Sequence, residues 1–161
     1  MSKTSKTIYF FISVLFFIFF DIYFSNAIIE NIPNFSQNSV FDLIFTKNTG
    51  AAFSILQNSK VFLISFSVFA ILYISIFLVK SIQKASGISI FWTAMLVSGI
   101  FCNMYERIVF GYVRDFIQLN FVDFPVFNLS DIFINVSVFS IVVIIIANEI
   151  NNRRNSRRKT D

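Results

Sequence analysis

The chain has 161 residues, of which 56% are hydrophobic and only 14% charged, and its mean hydropathy is +0.73. Too little polar side chain exists to cover a soluble domain, so the sequence describes an integral membrane protein with several spans. With no His and a single Cys, it excludes an intrachain disulfide, lacks the usual ligands for zinc or copper, and offers no imidazole to activate a thiol nucleophile. The 24 Phe residues fit a biased base composition and read as exchange among apolar types rather than as an aromatic site.

The first apolar stretch covers about residues 8–26, follows Lys3 and Lys6, and is interrupted by Asp21. Ser25-Asn-Ala27 resembles a small-residue cleavage site. The stretch is nevertheless long for a secretory signal and carries an acid, so it is expected to be retained as a span. Residues 27–60 follow, with Pro33 and the mixed stretch Val40 to Phe45. They are too polar to span as a helix and predict an interfacial piece, strand-like in part, with Phe41, Ile44 and Phe45 resting at headgroup level. Within this segment, Lys47-Asn-Thr-Gly-Ala-Ala-Phe-Ser54 suits a tight turn at Asn48 and Gly50, and Ala51 and Ala52 leave room for another backbone.

Three further apolar stretches cover about 61–79, 88–109 and 127–147, each near the roughly 20 residues that a tilted helix needs to cross the hydrocarbon. In the third, Asn103 and Arg107 share a helix face with Gly99 one turn earlier, while Ala94, Ser98 and Cys102 form a stripe of small residues suited to close helix packing. The segment 110–126 holds Asp115, which taken alone is an interfacial acid expected to pair with Arg114 or Arg107. At the start of the fourth span, Asn128 and Asp131 have the spacing of a capping box. A basic tail, 148–161, closes the chain with Arg153, Arg154, Arg157, Arg158 and Lys159.

The expected fold is an all-α membrane protein, one domain over 1–161, with four transmembrane helices and a small strand-like interfacial segment on the outer face. The two basic termini and the turn holding Lys80 and Lys84 must share one side of the membrane, which the positive-inside rule makes cytoplasmic. The same rule accounts for the basic tail without nucleic acid as a partner. Asn48, Asn103, Arg107, Asp115 and Asp131 then gather at the outer surface. An Asp at the bilayer centre costs roughly 2.5–3.5 kcal/mol, so ionisable groups near such depth usually pair and usually have a job. Two jobs remain open on residues alone. Asp115 and Asp131 provide the acid and base of a hydrolase, or with Arg107 they form the ion or proton relay of a small transporter or channel subunit.

In order the chain reads Asp21, Asn48-Thr-Gly-Ala-Ala-Phe-Ser54, Asn103-Met-Tyr-Glu-Arg107, Val113-Arg-Asp-Phe116 and Phe127-Asn-Leu-Ser-Asp131. This series resembles the lipoprotein signal peptidases, or signal peptidase II family. Their pattern is an Asp late in span one, then Asn-x-Gly-x-Ala-Phe-Ser, Gly-Asn-x-x-Asp-Arg, Val-x-Asp-Phe and Phe-Asn-x-Ala-Asp. Cys102 stands for the family's Gly, Glu106 for Asp and Ser130 for Ala; Ile22 and Ser25 replace a Gln and a Lys that often follow the first Asp. These departures leave open an inactive relative that only binds lipoproteins.

The resemblance implies an aspartic endopeptidase of the bacterial inner membrane, working as a monomer at the outer face. It would cut a prolipoprotein just before a Cys that already carries diacylglycerol. Asp115 and Asp131 would be catalytic. Asp21, Asn48, Gly50, Asn103, Arg107 and Asn128 would bind substrate or support the site. The substrate's lipid and the surrounding bilayer would be partners, and no metal or organic cofactor is implied.

Overall fold

The computed structural model describes residues 1–35, 40–51 and 55–157. Four helices are long and apolar enough to cross a membrane: α1 (Lys3–Asn31), α2 (Lys60–Ser81), α3 (Gly87–Val109) and α4 (Leu129–Arg157). Two short strands join them, β1 (Phe41–Asn48) between α1 and α2, and β2 (Val113–Leu119) between α3 and α4. Their number and order are those the hydropathy predicts, because a bilayer leaves helices as the economical way to satisfy backbone groups internally.

Local chemistry sets several boundaries. Ser2 and Ser86 cap α1 and α3, their hydroxyls accepting from the backbone N–H of Ser5 at 3.0 Å and of Ser89 at 3.1 Å. Helix α4 runs past the apolar stretch into the expected tail, where Glu149 and Arg153 pair one turn apart. Arg158 and Lys159 lie outside the described residues.

Helix α3 is the hub and packs against each of the other three. Its small-residue stripe is used. Ser98 is fully buried and donates its hydroxyl to the carbonyl of Val14 on α1 at 3.1 Å. Helix α1 presents Phe10, Ser13, Phe17, Asp21 and Ser25 inward at helical spacing, a stripe that turns from apolar to polar toward one end. Against α4 the contact is closer still. A Cβ on Gly99 would lie 2.7 Å from the Ser130 carbonyl oxygen and 2.9 Å from Ile134 Cγ1, so only glycine lets the first turn of α4 come this near.

At the basic end, Lys6 donates from Nζ to the carbonyls of Gln83 and Ala85, tying the start of α1 to the α2–α3 turn. The strands occupy the opposite end. They pair antiparallel, with Thr46 opposite Asp115, Lys47 opposite Arg114 and Asn48 opposite Val113, and with an irregularity between Leu43 and Thr46. The sequence predicts a strand-like stretch at β1 but not its partner β2, which begins 65 residues after β1 ends. Phe127 continues the pairing, exchanging backbone hydrogen bonds with Ile117 at 2.9 and 3.0 Å. This pins the start of α4 beside β2.

Candidate active site

Five chain segments carry the site, from α1, the end of β1, α3, β2 and the start of α4, and each owes its shape to the folding just described. The register places Asp115 on a strand, 2% exposed, with buried Val113 and Phe116 as neighbours. The bridge at Phe127 then delivers Asn128 and Asp131 to it. Asn128 and Asp131 close a reciprocal capping box, Asp131 N–H to Asn128 Oδ1 at 2.9 Å and Asn128 N–H to Asp131 Oδ2 at 3.2 Å. The cap does not compete with the site, because the Asn128 amide still has Nδ2 free to reach Asp115 Oδ1 at 2.8 Å and Asn103 Oδ1 at 3.1 Å.

Asn103 in turn donates to Asp131 Oδ1 at 2.8 Å. The two aspartates are therefore joined by a chain of amides rather than by a cation. Asn48 adds a third amide. Its Oδ1 accepts from the Gly50 N–H at 2.9 Å, making the expected tight turn, while its Nδ2 donates to Asp115 Oδ2 at 3.0 Å. The turn and the site contact belong to the same side chain. Ala52, Phe53 and Ser54 of this motif lie outside the described residues.

Arg107 is 8% exposed and spans two segments, donating to the Asn103 carbonyl at 3.0 Å and to the Gly50 carbonyl through Nη2. Its Nε has no partner among the described residues. The expectation that Asp115 pairs with Arg114 is overturned, while Arg107 acts on Asp115 through its charge and spends its hydrogen bonds on backbone carbonyls. Arg114 is the residue before Asp115 on the strand, so its side chain leaves from the opposite face. There it meets Glu106, with Nη2 to Oε1 at 2.6 Å and Nε to Oε1 at 2.8 Å, while its own N–H donates to Oε2 at 2.7 Å. Glu106 and Arg114 flank the Gly111 turn, φ +87°, with opposite charges, a signal that could have exposed the pair.

Asp21 lies beneath this layer, where Ser130 donates its hydroxyl to Oδ1 at 2.8 Å. Asp21, Asn48, Gly50, Asn103, Arg107, Asp115, Asn128 and Asp131 thus share one connected neighbourhood at the sheet end of the bundle. Burial pushes the Asp115 carboxyl up to about 7. The charge on Asp131 adds to the rise, and the hydrogen bonds from Asn48 and Asn128 hold it back. A carboxyl of that kind exchanges a proton near neutral pH.

The family model for signal peptidase (SPase) II matches residues 12–147. The chain is 38% identical over 120 residues to a lipoprotein signal peptidase of Streptococcus thermophilus, covering 74% of each chain. It is 32% identical over 130 residues to one of Streptococcus agalactiae, covering 81% of this chain and 80% of that one. In fold it is similar to a bacterial membrane enzyme solved by the in meso method at 2.3 Å resolution. That likeness has a TM-score of 0.76, 21% identity, and coverage of 88% of this chain and 90% of the other.

Proposed function

The chain belongs to the signal peptidase II family, and from that premise we propose that it removes signal peptides from prolipoproteins by aspartic chemistry, with Asp115 and Asp131 as the reacting pair. It is a multi-pass bacterial membrane protein. The observation that carries the aspartic reading is the amide chain Asn48–Asp115–Asn128–Asn103–Asp131, which holds two carboxyls together through neutral hydrogen-bond donors, with the Arg107 charge close by.

Two such groups do not ionise together easily, so the pair keeps one proton over a wide pH range. The ionised member takes a proton from water as the water attacks the scissile carbonyl. The protonated member donates to the carbonyl oxygen and takes that proton back as the tetrahedral intermediate collapses, while the proton drawn from water passes from the other carboxyl to the leaving amine. The pair exchanges these parts and titrates as a unit. Arg107 supports the site, its two Nη atoms engaging the Asn103 and Gly50 carbonyls so that the turn carrying Asn48 is held against α3.

The sheet end faces the outside of the membrane, with the basic ends of the helices and both termini in the cytoplasm. The substrate Cys carries diacylglycerol. Each acyl CH₂ left in the bilayer contributes about 0.8 kcal/mol, so the lipid stays in the outer leaflet while the backbone moves into the site. Strand β1, with Phe41 and Phe45 exposed, borders that leaflet and covers the site from outside.

The relay alternative needs ionisable groups through the membrane depth. Among the described residues, the buried ones, Asp21, Glu106, Arg107 and Asp115, all lie at the sheet end. An inactive relative would show its departures disturbing the pair. Glu106 and Ser130 instead take partners of their own and leave the aspartates' partners in place. The deciding experiment incubates purified protein with diacylglyceryl prolipoprotein. It should yield a shorter lipoprotein beginning at the lipid-bearing Cys, and no cleavage of the same precursor before lipidation. Cleavage elsewhere, or none, would overturn the reading.

A further inference from the structure

Helix α1 contributes no group that touches either reacting aspartate, yet it reaches the residue immediately before each of them. Asp21 Oδ1 accepts from the Ser130 hydroxyl at 2.8 Å, and Ser130 precedes Asp131. Asn26 Oδ1 accepts from Arg114 Nη1 at 3.0 Å, and Arg114 precedes Asp115. Neither Ser130 nor Arg114 is demanded by the family's sequence pattern. Ser130 stands where that pattern has Ala, and Arg114 fills its free position.

We infer that α1 acts as a spacer bar for the aspartate pair, with Asp21 and Asn26 as its two anchor points and Ser130 and Arg114 as the positioning residues through which it sets the separation of Asp115 and Asp131. The inference rests on the proposed aspartic reading. Two features make the tethers stiff. Asp21 and Ser130 are each 3% exposed, so little water competes for their hydrogen bond. Arg114 is clamped a second time, because Glu106 takes its guanidinium and its backbone N–H together and the Phe110 ring lies 4.4 Å from its central carbon. The Arg114 backbone therefore cannot shift along the strand without breaking contacts to α1 and α3 at once.

The anchor points are five residues apart on one continuous helix, so their own separation is fixed by its backbone hydrogen bonds. Helix α1 also packs on α4 through Phe17 and Phe20 against Phe133, and the Ser130 tether adds a polar connection by which α1 acts on the helix carrying Asp131. The Glu106 departure fits the same device. Its carboxylate accepts three hydrogen bonds from Arg114, which the next residue, Arg107, leaves untouched while it faces the site. Separation matters because misplacing reacting groups by about 1 Å costs on the order of 10²-fold in rate.

The test uses the full chain purified in its membrane-mimetic form, with Ser130→Ala, Asn26→Ala, Asn26→Asp and Asp115→Asn assayed on diacylglyceryl prolipoprotein. Ser130→Ala and Asn26→Ala should each lower kcat about tenfold with KM unchanged. They should also move the alkaline fall in activity to lower pH. A looser pair repels less, while Glu106 and Arg107, the other charges facing Asp115, keep partners that these variants leave in place, and Asp21 faces Asp131 rather than Asp115. Asn26→Asp keeps an acceptor for Arg114 and should retain kcat. If Ser130→Ala does not fold, the half-buried Asn26 pair decides alone. Unchanged kcat and unchanged pH profile in Asn26→Ala, with Asp115→Asn inactive, would overturn the spacer while sparing the aspartic reading. A raised KM at constant kcat would overturn it too. An active Asp115→Asn would instead sink the aspartic reading itself.

Discussion

Asp115 is held between opposing influences, and its variants follow from them. Replacing Asp115 or Asp131 by Asn keeps size and hydrogen bonding but removes the exchangeable proton. Each variant should therefore lose at least the roughly 10²–10⁴-fold that general acid–base catalysis supplies, measured as turnover of prolipoprotein with the protein still in the membrane. Asn48 donates to Asp115 and thereby favours the ionised form. Removing that donor in Asn48→Ala raises the pKa of the carboxyl further, so the alkaline fall in activity should move to higher pH, opposite in sign to the spacer variants. Stability follows the same group. The folded value of about 7 exceeds the ordinary 3.8, so the folded state binds the proton more tightly. That stabilisation is whole below pH 3.8 and is lost as pH rises through about 7. Thermal unfolding in detergent should show the decline in the parent chain, and a weaker one in Asp115→Asn.

At the scale of elements, the α3–α4 crossing is the contact least tolerant of change. Gly99→Ala would set a methyl 2.7 Å from the Ser130 carbonyl, a backbone atom with no freedom to turn aside. The first turn of α4 must move, taking Asp131 with it. A loss of about 1–3 kcal/mol is expected for such overpacking, together with lower kcat, and a variant with parental melting temperature and turnover would show that the helices can part without consequence. Helices were the part of this fold most legible in the sequence, because a bilayer dictates both their length and their apolar content. Strand β2 was not legible as a strand. Val113, Asp115 and Phe116 are all buried, so no clean alternation marks the segment, and its pairing with β1 depends on a distant part of the chain. The candidate site was legible to the extent that its residues occur in ordered motifs. Their mutual contacts were not. Arg114 was expected on Asp115 and instead serves Glu106, and the second duty of Ser130 shows only once α1 is packed beside it.

Across the whole molecule, the chain divides polar work by end. Lys6 binds the α2–α3 turn at one end, while Glu106, Arg107 and Asp115 are buried at the other. Only one side of a membrane offers both the secreted precursor and the water that hydrolysis consumes, and the proposed orientation puts the sheet end there and the end bearing Lys3, Lys6, Lys80 and Lys84 on the opposite side. Cysteine labelling tests this orientation against a favourable background, since Cys102 is 1% exposed and a bulky maleimide should not reach it in the folded protein. Asp123→Cys, in the exposed turn after β2, should react with a membrane-impermeant maleimide on cells whose outer layers are opened but whose cytoplasmic membrane is intact. Gln83→Cys, in the exposed turn between α2 and α3, should react only after that membrane is permeabilised. The reverse pattern would place the aspartates in the cytoplasm, where an exported precursor never presents its lipid-bearing Cys, and the proposed route of the substrate from the outer leaflet would have to be abandoned even if cleavage by the purified protein were secure.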